Sequence, residues 1–138
     1  MIVTVTLNLA LDVTYRVPRL TPGATHRVAV EQRAGGKGVN VARVLTALGA
    51  DAVVCGFAGG GTGRIALAEL EAAGMPARTT PVACESRRTV AVVDTGAGEA
   101  TGFWEPGPGV TEGEWEALLR DVSAEFGRAS AAVLSGSL

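Results

Sequence analysis

Histidine is nearly absent from this chain: His26 is the only one in 138 residues. An imidazole-based zinc site or a Ser-His-Asp triad therefore has almost no material, and His26 reads as an ordinary strand or loop residue. Cysteine is scarce too, with only Cys55 and Cys84. They lie far apart and form no Cys-x-x-Cys pair, so inert thiols in a reducing cytosol are expected. Basic charge is not in excess: the formal net charge is −2 and the pI is near 5.4. That argues against a nucleic-acid surface. No apolar run approaches the roughly 20 residues of a membrane span. The start, Met1-Ile2-Val3-Thr4-Val5, lacks the basic region of a signal peptide. These absences predict a cytoplasmic protein with no nucleic-acid partner, no membrane partner and no metal ligands.

What is present reads as globular: 47% of residues are hydrophobic and 19% charged. The length suits one domain able to bury a core. Ile2 to Leu7, Ala52 to Phe57 and Ala131 to Ser135 read as buried strands. They are separated by helices at Asn40 to Leu48, Thr62 to Ala73 and Thr111 to Phe126, which predicts a parallel sheet covered on both faces. Thr111 and Glu114 form a capping box, and Trp115, Leu118, Leu119, Val122 and Phe126 make one apolar stripe. A second set of strands is more polar and comes in hairpin-like pairs. These lie near 11–17, 25–33, 87–94 and 99–105, and they predict a small sheet with one exposed face. Gly96-Ala97-Gly98-Glu99 reads as the turn between the last two. An α/β sheet normally follows a strand such as Ala131 to Ser135 with a covering helix. Leu138 comes first, so the chain is expected to be the front part of a larger α/β protein, incomplete at its C-terminus.

The richest motif is Ala34-Gly35-Gly36-Lys37-Gly38-Val39-Asn40-Val41-Ala42-Arg43. Glycines bare the backbone, a helix start adds free N–H groups and the positive end of a dipole, and Lys37 adds a cation. Together they make a seat for a hydroxylated or phosphorylated molecule. In the helix that follows, Val41, Val44, Leu45 and Leu48 fall at i, i+3, i+4 and i+7, the spacing of an inward face. The loop is not a P-loop, because Gly38 follows the lysine where Ser or Thr would be needed. Asn8 and Asp12 follow the first strand, where ligands of open α/β sheets sit, although both residue types also satisfy turns. Arg87 and Arg88 are adjacent on a strand, so only one can face a ligand. Gly61-Thr62-Gly63-Arg64-Ile65-Ala66, with Glu85 roughly 20 residues on, fits a degenerate dinucleotide fingerprint or a plain helix-start turn.

Taken together, the chain resembles the ribokinase-like carbohydrate kinases of the phosphofructokinase B type, in particular the N-terminal half of bacterial 1-phosphofructokinases. The resemblance rests on an ordered series: Thr6-Leu7-Asn8-x-Ala10-Leu11-Asp12, the Gly35 to Arg43 run, Ala47-Leu48-Gly49, Gly56-Phe57-Ala58-Gly59-Gly60-x-Thr62-Gly63, Ser86-Arg87, Glu105-Pro106-Gly107-Pro108 and Leu134-Ser135-Gly136-Ser137-Leu138. It implies a doubly wound, mostly parallel α/β sheet with a small β-sheet lid, residues 1–138 forming the N-terminal portion of the kinase domain. It implies that Asp12 binds sugar hydroxyls and that Gly35, Gly36, Lys37, Gly38 and Asn40 hold the sugar. Lys37 and Arg87 would meet the sugar's phosphate, and Ser137 would lie near the pocket. Phosphoryl transfer from ATP with Mg²⁺ would be the family reaction, with 1-phosphofructokinase as the leading candidate. The family base lies in a downstream Gly-Ala-Gly-Asp motif that this sequence does not contain, so no catalytic residue is assigned here. The chain alone is expected to be inactive, to bind ATP and Mg²⁺ weakly at best, and to form a homodimer through its lid strands. Leu9 stands where the family usually has proline, and Thr89 where this branch often has asparagine. The alternatives are a non-catalytic sugar-phosphate-binding or oligomerising module and a Rossmann-type dinucleotide binder.

Overall fold

The computed structural model describes residues 1–136 and contains two four-stranded sheets. The strands are β1 (Ile2–Thr6), β2 (Ala10–Val17), β3 (Ala29–Gly35), β4 (Ala52–Gly59), β5 (Ala77–Val82), β6 (Arg87–Asp94), β7 (Glu99–Trp104) and β8 (Ala131–Leu134). The helices are α1 (Lys37–Ala47), α2 (Gly60–Ala72) and α3 (Glu112–Phe126). The main sheet has the order β5-β4-β1-β8 and every pairing is parallel. The second has the order β3-β2-β6-β7, with a parallel β2–β6 pair between two antiparallel ones.

Strand β4 shows why the main sheet sits inside. All eight of its residues are buried, as expected where both faces are covered. Its side chains alternate between two cores. Ala52 and Val54 join Leu9, Leu11, Val39 and Leu70 on the α1/α2 side. Val53, Cys55 and Phe57 join Leu118 and Val122 of α3. Trp115 meets Phe57 edge to face, with ring centroids 5.1 Å apart at 89°. The capping box of α3 forms as its sequence predicts, and Glu114 also accepts the Ala83 N–H at 2.7 Å. These bonds hold the Glu114 carboxyl below the usual carboxylate range, the Thr111 N–H contributing most.

Five expectations need correction. Helix α1 starts three residues before Asn40, inside the glycine run. Its inward face is Gly38, Val39 and Ala42, whereas Val44 and Leu48 are exposed. Small residues win because α1 lies directly on β1: a Cβ on Gly38 would sit 2.8 Å from the Val5 carbonyl oxygen. Strand β3 is displaced, running over Ala29–Gly35 in place of the expected 25–33, because its pairing with β2 sets Arg33 opposite Asp12. Strand β5 was not anticipated. It is a polar edge strand, and an edge tolerates Pro81. The stripe on α3 is only partly core, since Leu119 and Phe126 are exposed, as is Leu134 on the edge strand β8.

Candidate functional site

Strand register assembles the site. On one face of the second sheet Asp12 pairs with Arg33 on β3 and with Thr89 on β6, and Thr89 pairs with Trp104 on β7. Paired residues point to the same face, so these four form one row across the sheet. Arg87 is opposite Ala10, two residues before Thr89 on the same face. Arg88 points the other way and forms an ion pair with Glu105, Nη2 to Oε1 at 2.7 Å. That contact raises the Arg88 pKa and lowers that of Glu105, the side-chain hydrogen bond contributing most in each case.

Strand β3 runs straight into α1, so Gly35 and Gly36 place the helix start beside Asp12. Any Cβ on Gly35 would overlap the Asp12 carboxylate. Gly36 has φ +113°, and a Cβ there would also lie 2.8 Å from Thr6 Oγ1. The turn is fastened from behind: Glu69 Oε2 on α2 accepts the Ala34 N–H at 2.8 Å and Arg43 Nη2 at 3.0 Å. Arg43 also donates to the Ala34 carbonyl at 3.2 Å. Thus α1, α2 and β3 are locked together where the loop must be held.

The resulting cleft, about 470 Å³, is lined by Asp12, Gly36, Lys37, Asn40 and Arg87 among others. Five of the expected residues therefore meet. Gly35 lies beneath Asp12, while Gly38 is buried against β1 and serves packing. Ser137 lies outside the described residues. Asp12 accepts the Thr89 hydroxyl, so threonine at this position acts by holding the carboxylate. The N-cap of α1 is Gly36, which has no side chain to cap it, and the first turn holds no acidic residue. Among the described residues neither Lys37 nor Arg87 has an ion-pair partner. Arg87 Nε is buried without a hydrogen-bond partner, as is Thr6 Oγ1 behind Gly36, and a buried N–H donor is ordinarily paired. Trp104 also lines the cleft. The sequence pattern gives it no signal, because only the β6–β7 register carries it to Asp12.

The start of α2 differs. Glu85 accepts the Thr62 N–H at 2.5 Å, and the Thr62 amide and hydroxyl hold its carboxyl below the usual range. The acid that a dinucleotide fingerprint would turn toward a ribose occupies the chain's own helix end. Gly96-Ala97-Gly98-Glu99 is a β6–β7 turn, as expected. Asp94 Oδ1 accepts the Gly96 and Ala97 N–H groups at 3.0 and 2.9 Å, and Oδ2 accepts Leu20 N–H at 2.8 Å.

Residues 3–138 match the pfkB family carbohydrate kinases. The chain is 36% identical to the ATP-dependent 6-phosphofructokinase isozyme 2 of Mycobacterium tuberculosis, over 99% of this chain and 41% of that protein. Phosphofructokinase-2 from Escherichia coli in complex with fructose-6-phosphate superposes with a TM-score of 0.89 at 32% identity, covering 99% of this chain and 45% of that one. A possible 1-phosphofructokinase from Thermotoga maritima superposes at 0.92 and 30% identity, covering 100% and 45%. The chain thus spans less than half the length of these relatives.

Proposed function

The chain belongs to the pfkB family of carbohydrate kinases and has their ribokinase-like fold, and from that premise we propose that it is the acceptor-binding part of an ATP-dependent sugar-phosphate kinase. One observation carries the reading. A buried, unpartnered Arg87 Nε and the unpaired Lys37 share a cleft with a carboxylate held by Thr89. The carboxylate suits sugar hydroxyls, while the two cations and the uncapped helix start suit a phosphate. Fructose phosphates are the acceptors of choice, with 1-phosphofructokinase activity for the whole kinase. ATP with a divalent cation would supply the phosphoryl group. Among the described residues no grouping of three His, Cys, Asp or Glu side chains could hold a metal ion. The residues of this cleft address the acceptor, and the reading proposed for the chain alone is binding without turnover.

Calorimetry tests this. Fructose 1-phosphate or fructose 6-phosphate should bind, and unphosphorylated fructose should bind much more weakly. A charge-assisted contact is worth about 1.5–3 kcal/mol, so Arg87→Ala should weaken binding about tenfold or more. Arg88→Ala should matter little, since Glu105 already holds Arg88. Equal binding of fructose and its phosphates would refute the phosphate site. A coupled assay with ATP and Mg²⁺ should show no turnover, and a rate on the order of 1 s⁻¹ would refute the inactive-module reading. No described helix is long and apolar enough to cross a membrane. The β3 and β7 edges of the second sheet, with Val30 and Phe103 exposed, support a homodimer through the lid strands. Sedimentation at micromolar concentration should show it.

A further inference from the structure

We infer that Trp104 is a substrate-positioning residue of this cleft, its indole giving an apolar platform to the ring face of a bound sugar phosphate. The inference rests on the sugar-phosphate reading above and goes beyond it by naming what contacts the sugar's carbon skeleton. Trp104 is 77% exposed, so its indole is open to contact from the cleft side. Register places it in the Asp12–Thr89 row. With strands about 4.8 Å apart, its backbone lies roughly 10 Å from that of Asp12, a span that one sugar ring and its substituents can bridge. The indole is not loose. A Cβ on Gly102 would lie 3.2 to 3.6 Å from Trp104 Cζ2, Cε2 and Cη2, so the six-membered ring rests over Gly102.

The floor around the ring is small: Ala91, Ala100 and Gly102 line the same cleft. Larger residues there would fill the space a ligand needs. The division of labour is chemical. Asp12, Lys37 and Arg87 address hydroxyls and phosphate, whereas a sugar ring also presents a face of C–H bonds. An aromatic plane covers such a face with little entropy cost, because it has only two side-chain torsions.

The test uses tryptophan emission and calorimetry together. The second tryptophan, Trp115, packs against Phe57 in the α3 core and should not respond to ligand. Titrating fructose 6-phosphate should change the emission saturably, with the calorimetric midpoint, and the change should vanish in Trp104→Phe. Trp104→Ala should weaken binding about tenfold, and Trp104→Phe should recover most of the loss. Gly102→Val, which lifts the indole from its floor, should weaken binding like Trp104→Ala with the melting temperature preserved. Unchanged affinity in Trp104→Ala alongside weakened binding in Arg87→Ala would overturn this inference and leave the sugar-phosphate reading standing. An emission change that follows protein concentration and not ligand would overturn it in favour of a second copy covering the indole. If the wild-type chain binds no sugar phosphate, both readings fall.

Discussion

Two glycine-rich turns in this chain start helices in nearly the same way and end in opposite states. Gly35-Gly36-Lys37-Gly38 leads into α1, and Gly59-Gly60-Gly61-Thr62-Gly63 leads into α2. Each uses one glycine with positive φ, +113° at Gly36 and +66° at Gly60. Neither helix has an acidic residue in its first turn or a cap from its own N-cap side chain. The difference comes from elsewhere in the chain. Glu85, 23 residues away, closes α2 by accepting the Thr62 N–H. At α1 the Asp12 carboxylate lies against Gly35 and accepts from Thr89 instead. Glycine at a helix start therefore creates only the opportunity for anion binding. Whether a ligand takes it depends on whether the fold supplies its own anion first.

The largest effect should come from perturbing the open turn. Gly36→Ala forces a residue with a Cβ into a left-handed backbone and toward Thr6 Oγ1, a strain of about 1–3 kcal/mol. It should abolish sugar-phosphate binding in calorimetry and lower the melting temperature. Gly61→Ala is the unstrained control in the closed turn, since Gly61 has no positive φ. Its Cβ would find neighbours only at 3.6 and 3.7 Å, so stability should change by no more than about 0.5 kcal/mol and binding should persist. The reverse pattern would place the ligand at α2.

A smaller effect should come from opening the closed turn. Glu85→Ala removes the acceptor of Thr62 N–H, so it should lower stability while leaving sugar-phosphate affinity unchanged. The loss should depend on pH in a defined sense. The Glu85 carboxyl is held below the usual range, first by the Thr62 amide. Its stabilisation is therefore complete above the unfolded value of about 4.3 and drains away as pH falls through the lowered folded value. The stability gap between wild type and Glu85→Ala should shrink on acidification. A gap that widens toward low pH would mean that Glu85 acts in its protonated form and is no anionic cap.

The contrast between the turns was only half legible in the sequence. Order and chemistry along the chain showed clearly. Alternation alone puts Arg87 and Arg88 on opposite faces, and the glycine run beside a helix marks the open turn. Long-range pairing did not show. Glu85 at its spacing from Gly61 looks like a ribose-binding acid, because local pattern carries no information about which helix end the residue will meet. Strand β5 hid behind Arg78, Thr79, Thr80 and Pro81, an edge composition that reads as loop. The apolar spacing of Val44 and Leu48 suggested the wrong face of α1, because close backbone approach at Gly38 outweighs side-chain hydrophobicity. Trp104 and Thr89 reach Asp12 only through the parallel β2–β6 pair, which joins segments 77 residues apart.

The smallest expected effect is none at all, and it separates the two turns without mutation. Cys84 is exposed and adjacent to Glu85, at the closed turn, while Cys55 is buried in β4. Burial is the main cause that pushes the Cys55 thiol up to about 11, with Glu125 adding to it. Thiolate is the reactive form, so a soluble alkylating reagent at neutral pH should label Cys84 alone in the folded chain and reach Cys55 only after unfolding. Cys84 then reports on the α2 end specifically. If the sugar phosphate sits at the open α1 turn, saturating fructose 6-phosphate should leave the Cys84 labelling rate unchanged while tryptophan emission responds. Protection of Cys84 at the calorimetric midpoint would show that the ligand displaces Glu85 and binds the α2 end, and the distinction between open and closed turns would fail.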